Sequence, residues 1–319
     1  MKIRTVMVLL GWLTVSLSGS PALAQEKGAG SIGVEYQYIH SDVFKDDLGE
    51  YDYWSTDTKM LMLSGDYTFA DNWTVFVALP YIEKRFVDES DWGGDPHNPN
   101  DAWWIDFVPP DKRFWDDGSY HGGWQDMSLT ISYQALDGPL TLSPYIGYGF
   151  PVGDYPFYAK AAIGADLWTI PVGASFSYIP YFDDWYVSGN VAYVFSEKPV
   201  GVNVDFWSVH LSGGYWFRPD FSVNVFAGLR YVIDGLTMPW GFSDDPTYSD
   251  YPDAYDTELW YNHDRLLQNR NLNMGVGFNY FLNEKYSVSG SFYKGVWAAH
   301  SSEPGRAFTL GIARHFGGD

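Results

Sequence analysis

The sequence predicts an all-β fold: a single antiparallel transmembrane β-barrel of about twelve strands with long acidic extracellular loops. Three observations predict it. Apolar residues alternate with mixed ones in short segments, short and long connections take turns, and the N-terminus reads as an export signal. In one segment Val223, Val225, Ala227, Leu229, Tyr231 and Ile233 hold every second place, with Asn224, Phe226, Gly228, Arg230 and Val232 between them. Successive side chains of a strand point to opposite faces, so this segment has one apolar and one mixed face. No later segment is an apolar run of the ~20 residues a membrane helix needs.

At the N-terminus, Lys2 and Arg4 precede an apolar stretch from Val6 to Leu17, and Pro21-Ala22-Leu23-Ala24 supplies small residues where a signal peptidase reads. Residues 1–24 are therefore expected to be a signal peptide and 25–319 the outer-membrane barrel. The expected strands are 31–40, 58–69, 73–84, 126–136, 139–149, 162–180, 185–196, 205–218, 221–234, 269–282, 285–298 and 305–316. Residues 162–180 could be two strands parted at Ile170; they are read as one long strand bulged at Pro171, whose nitrogen cannot donate to a ladder.

The connections support this count. Tight turns of Asp, Asn, Gly and Pro fall at 70–72, 136–138, 181–184, 219–220 and 283–284. Longer connections fall at 41–57, 85–125, 150–161, 197–204, 235–268 and 299–304. Short turns at the periplasm and long loops outside are the arithmetic of a bacterial barrel with an even strand number. Phe69 and Trp73, Trp185 and Tyr186, Phe217 and Phe221, and Phe281 and Tyr286 flank the short turns, where an interfacial aromatic girdle belongs. The last expected strand sets Phe308, Leu310, Ile312 and Phe316 on one face.

The formal charge is −21, and −23 once Lys2 and Arg4 leave with the leader. That argues against nucleic acid as a partner, since phosphate binding needs surplus cations. With no cysteine, disulfides and thiolate metal sites are excluded. The acid is concentrated: loops 41–57, 85–125 and 235–268 carry net charges of −5, −6 and −6, together −17. The same loops hold Trp54, Trp92, Trp103, Trp104, Trp115, Trp124, Trp240 and Trp260. Three readings stand for them. They form a solvated cap bridged to lipopolysaccharide by divalent cations, or a funnel in which Trp54, Trp92, Trp103, Trp104, Trp115, Trp240 and Trp260 capture a solute, or a calcium site. No segment has the spacing of a calcium loop.

Parity assigns the lumen. With Leu61, Leu63 and Tyr67 outward, Asp66 points in. By the same rule Glu35, Asp126, Gln134, His210, Asn224, Arg230 and Asn273 line the interior, with Phe76 and Phe226 narrowing it. Arg230 with Glu35 or Asp66 reads equally as a buried ion network. Twelve strands lie between the filled eight-stranded barrel and the open sixteen-stranded channel, which suits a narrow pore. A hydrolytic site is not expected: His300-Ser301-Ser302 is the only nearby His/Ser run, and the seven His contain no i, i+4 pair. No nucleotide motif is present, and the reading requires no cofactor.

Parts of the chain carry a resemblance. Residues 61–73 (LMLSGDYTFADNW), then Leu79-Pro80-Tyr81, Gly123-Trp124-Gln125-Asp126 running into Met127 to Tyr133, Gly138-Pro139 and Pro151-Val152-Gly153-Asp154 occur in an order similar to that of the outer-membrane proteins associated with phenol meta-pathway degradation, distantly grouped with the long-chain fatty-acid transporters. The resemblance covers 58–84 and 123–180. It implies a barrel that passes small hydrophobic or aromatic compounds. The expectation is thus an outer-membrane channel or passive transporter for a small-molecule solute, embedded in outer-membrane lipid. The proposed route is loop-aromatic capture, then diffusion past Asp66, Asp126, His210 and Arg230. The alternative is a non-conducting surface protein whose loops bind a partner or divalent cations.

Overall fold

The computed structural model describes residues 26–45, 50–51, 55–87, 118–155, 157, 161–237, 262 and 264–317. Among them no helix is long and apolar enough to cross a membrane; the chain is built of strands. These are β1 (Gly30–Lys45), β2 (Glu50–Tyr51), β3 (Thr56–Ala70), β4 (Trp73–Phe86), β5 (His121–Trp124), β6 (Met127–Tyr133) and β7 (Leu140–Phe150). They continue as β8 (Thr169–Tyr178), β9 (Trp185–Ser196), β10 (Phe206–Arg218), β11 (Phe221–Val232), β12 (Arg270–Asn283), β13 (Tyr286–Ala299) and β14 (Ser301–Phe316).

Neighbours in sequence pair antiparallel, and β14 pairs back to β1 from Gly30↔Phe316 to Lys45↔Ser301, so the sheet closes. Both β5 and β6 pair with β4 and make one interrupted strand, while β2 is a two-residue addition to β1. The wall is therefore a ring of twelve, as the alternation predicts. The interruption falls at Pro80, which has no N–H to give; its carbonyl instead accepts from the Gln125 nitrogen at 2.9 Å.

Parity in the structure follows the sequence. Ile32, Leu61, Ile131, Ile146, Leu211, Val225, Val276 and Leu310 are exposed on the outer face, while Met60, Asp66, Phe76, Ser212, Asn224 and Phe226 are buried inside. An apolar outer face is stable only against lipid, because each exposed Ile or Leu left in water forgoes about 1.5–3 kcal/mol. Aromatic pairs bound that face. Trp73–Tyr133 (4.9 Å between ring centres) and Tyr178–Trp185 (5.5 Å) lie by the short turns. Tyr81–Trp124 (5.3 Å) and Tyr193–Trp207 (5.2 Å) lie toward the long loops. Beyond the second belt the outer face turns polar. Arg85 donates to Asp57 at 2.6 and 2.9 Å, the Tyr38 hydroxyl donates to it at 2.7 Å, and His40 Nδ1 lies 2.7 Å from it. Such a cluster is too costly for hydrocarbon and marks where the apolar layer ends.

Two strand expectations are corrected. The strand expected over 162–180 is β8, Thr169–Tyr178, and 161–168 leaves the wall. Apolar residues at 161, 163 and 167 keep the period of a strand, but Ile163 packs on β3 and β4 across the ring while Leu167 packs on β9, β10 and β11. Likewise the loop expected at 299–304 is mostly strand: β14 begins at Ser301, and His300 alone, at φ 49°, turns the chain.

Gly173 is one place where the wall tolerates no side chain. A Cβ there would lie 2.2 Å from the Val191 carbonyl oxygen and 2.8 Å from the Ala192 Cα, both backbone atoms. Gly173→Val should therefore cost about 1–3 kcal/mol, the range for overpacking, seen as a lower urea midpoint for the unfolding of the refolded barrel.

Candidate functional site

The residues that define the lumen come from a loop as much as from the wall. After β7 the chain turns inward. Tyr155 and Ile163 are buried against Met60 and Met62 of β3 and Ala78 and Ile82 of β4. Four residues on, Leu167 is buried against Ala192 and Val194 of β9, Phe206 of β10, Val232 of β11, and Leu266. Those two patches sit on nearly opposite sides of the ring. The short segment between them, in which Asp166 takes a left-handed turn at φ 51°, thus forms a crossbar through the barrel.

Polar contacts hold the crossbar at both ends. Gln125 Nε2 donates to the Ile163 carbonyl at 2.6 Å and Lys84 Nζ to the Ala162 carbonyl at 3.4 Å. The Tyr155 hydroxyl donates to Asp126 and accepts from the Asp166 nitrogen at 2.9 Å. Burial and the Asp126 carboxylate push the Tyr155 phenol well above its usual range, so it stays a donor. From the β11–β12 connection, Arg265 donates to the Ala165 and Asp166 carbonyls at 3.3 and 3.2 Å and covers the Phe157 ring at 3.8 Å. Ile163 and Leu167 contribute about 1.5–3 kcal/mol each. Each charged hydrogen bond contributes a similar 1.5–3 kcal/mol at most. The apolar ends anchor the bar, and Arg265 latches it.

Beside the crossbar lies a cavity of about 280 Å³. Ala162 and Ile163 of the bar line it together with Ile39, Ile82, Tyr145, Val194 and Phe206. A polar flank faces these residues: Asn190, Ser208, His210, Arg230, Asn271 and Asn273. The His210 ring stacks on Phe226 (5.9 Å, 27°), and the Arg230 guanidinium sits 3.9 Å over Phe206. One apolar side and one hydrogen-bonding side make a site for an amphipathic small molecule.

Of the residues expected in the lumen, His210, Arg230 and Asn273 line this cavity. Glu35, Asp66 and Asn224 are buried inside the barrel but outside the cavity lining. Ser31 donates to Asp66, and Asn224 Nδ2 donates to Ser212 at 3.1 Å. Asp126 holds Tyr155. Gln134 lies past the end of β6 in the short turn, 3.4 Å from Asp137, away from the cavity. Trp54, Trp92, Trp103, Trp104, Trp115, Trp240 and Trp260 fall outside the described residues. Among the described residues no cluster of His, Asp and Glu could hold a metal ion. Sequence reading missed Lys84, although the parity that turns Phe76 inward also turns Ile82 and Lys84 inward. It missed the crossbar for a deeper reason, since nothing local distinguishes 161–168 from a strand.

These features define the class: an outer-membrane β-barrel with a constricted, partly apolar lumen. Residues 47–235, more than half the chain, match the model of the family described as "Putative MetA-pathway of phenol degradation", and the chain belongs to that family. An outer-membrane channel from Pseudomonas putida F1 superposes with a TM-score of 0.64 at 14% identity, covering 92% of this chain and 97% of its own. The translocator domain of the autotransporter NalP from Neisseria meningitidis gives 0.50 at 10% identity, covering 92% and 90%. At such identities the likeness is one of fold alone. No curated protein matches the sequence.

If the crossbar obstructs the lumen, a Leu167→Ser, Arg265→Ala double variant should show a higher single-channel conductance than the parent in planar bilayers. Identical currents would mean that the bar leaves the path untouched.

Proposed function

We propose that the protein is an outer-membrane channel that passes small, partly apolar solutes passively, exported by a cleaved leader at 1–24. The observation that carries this is the cavity beside the crossbar: a closed barrel holding a half-apolar, half-polar space of one-ring size. Support also comes from the relative in Pseudomonas putida, which is an outer-membrane channel, and from a family description that refers to phenol degradation. A solute enters from the long-loop side, rests with its apolar part against Ile39, Ile82 and Ile163, and leaves past the buried polar ring of Glu35, Asp66 and Asn224. The aromatic and acidic loops feed the entrance, and the polar rim at Asp57 and Arg85 meets the lipopolysaccharide layer. No energy source is required, because flow follows the gradient.

The test is conductance and uptake by the refolded mature protein. Discrete current steps, together with uptake of one-ring solutes into vesicles faster than into protein-free vesicles, are expected. A folded barrel that gives neither would overturn the channel reading. Ile163→Trp, which adds bulk where the bar meets the cavity, should reduce uptake several-fold while leaving the folded band on an unheated gel.

A further inference from the structure

Toward the long loops, the lipid side of β13 and β14 changes abruptly from apolar to cationic. Phe292 and Phe308 pair across these strands and are 54% and 45% exposed. Two residues further toward the long loops stand Lys294 and Arg306, both exposed. Tyr293 and Ala307, between the rings and the cations, are buried in the lumen, so strand parity turns Lys294 and Arg306 outward. They are also neighbours. The β13–β14 ladder pairs Tyr293 with Ala307, and Lys294 and Arg306 are the next residue on each strand. Adjacent strands lie about 4.8 Å apart. On β12 the register partner of Lys294 is Met274, itself exposed, which places this level at the edge of the apolar layer.

Like charges directly across a strand pair destabilise it unless something neutralises them. The nearby carboxylates are engaged elsewhere. Asp57 accepts from Arg85 and Tyr38 and contacts His40, Asp42 contacts His40, and Glu303 pairs with Lys45 at 2.9 Å. Among the described residues, neither Lys294 nor Arg306 forms an ion pair. A third outward cation lies two strands from Arg306, across β1. Lys59 is the register partner of Glu83 but lies over the Tyr120 ring at 3.6 Å, forming no ion pair with Glu83. At the strand spacing, Arg306 and Lys59 are on the order of 10 Å apart. Basic side chains at the head of a hydrocarbon layer attract anionic lipid head groups, and guanidinium and ammonium groups both bind phosphate oxygens. A chain of −21 would otherwise be repelled by an anionic leaflet.

We propose that Lys294 and Arg306 form a clamp on the lipid side of the barrel for one phosphate of lipopolysaccharide, with Lys59 taking a second phosphate of the same head group. The acyl chains lie against Phe292, Phe308 and Leu310, which continue the same outward face below the clamp. The separation of the clamp from Lys59 selects a head group with two phosphates over a single phosphodiester. The contact is direct, so it needs no divalent ion. The proposal rests on the wall of the barrel and not on the channel reading.

The test is calorimetric titration of the refolded, full mature protein in zwitterionic detergent containing EDTA. The probes are bisphosphorylated lipid A, lipid A with both phosphates removed, and phosphatidylglycerol. Bisphosphorylated lipid A should bind tightest, and loss of its phosphates should weaken binding about tenfold or more, the size of one lost charged hydrogen bond. The Lys294→Gln, Arg306→Gln double variant should lose a similar factor for the bisphosphorylated form, with little change for the dephosphorylated one. Lys59→Gln should lose less. The lipid-side comparison uses the parent protein and stands even where a variant gives no folded band. Equal binding of the two lipid A forms, a folded double variant that binds as the parent does, or phosphatidylglycerol binding as tightly as lipid A would overturn the proposal. So would binding that appears only when divalent cations replace EDTA, which would assign the contact to the acidic groups instead.

Discussion

Every feature of this molecule depends on one constraint: a backbone crossing hydrocarbon must satisfy each N–H and C=O within itself. The β14–β1 ladder meets it by closing the sheet. Closure then dictates that side chains divide strictly between lipid and lumen, which is why the sequence alternates with a period of two over nearly every segment. It also restricts departures from the strand. The Pro80 interruption is bridged through Gln125, and the crossbar, which leaves the wall, stays inside the barrel, where carbonyls at 162, 163, 165 and 166 find side-chain donors. Irregular backbone at membrane depth is tolerated only when sheltered in this way.

The crossbar turns a wall into a site. The wall already turns Ile39, Ile82, Val194 and Phe206 toward the lumen, and the crossbar bounds the space beside them. By burying Ile163 against β3 and β4 and Leu167 against β9–β11, it gives the space an apolar surface next to His210, Arg230 and the asparagines. Its hold combines apolar ends, which set position, with Arg265, which comes from a different connection.

Charge is distributed in layers. The sequence ranges 41–57, 85–125 and 235–268 are strongly acidic, whereas the described cavity lining holds Lys84 and Arg230 and no carboxylate. Net charge therefore gives the wrong sign for the site. Long-range attraction between exposed charges acts through water and is screened within about 10 Å at ordinary salt. Enclosed groups act at contact and are screened far less.

The alternation of Val225, Leu211 and Leu310 with Asn224, Ser212 and Thr309 was enough to determine the barrel, its twelve strands and which of these residues face out and which in. Those properties are local, since a pleated strand fixes side-chain direction whatever its partners are. Sequence could not determine where inward residues meet one another across the lumen, because that depends on ring closure and on a loop folding back. Residues 161–168 carry strand-like alternation, and only the tertiary structure shows that Ile163 and Leu167 satisfy it against opposite walls. Gln134 shows the converse: the lumen place expected for it needed a longer strand, but β6 ends one residue before it. Sequence determined the vessel; contacts between residues far apart in the chain decided the cavity, because burial and charge compensation belong to the closed ring and not to any one strand.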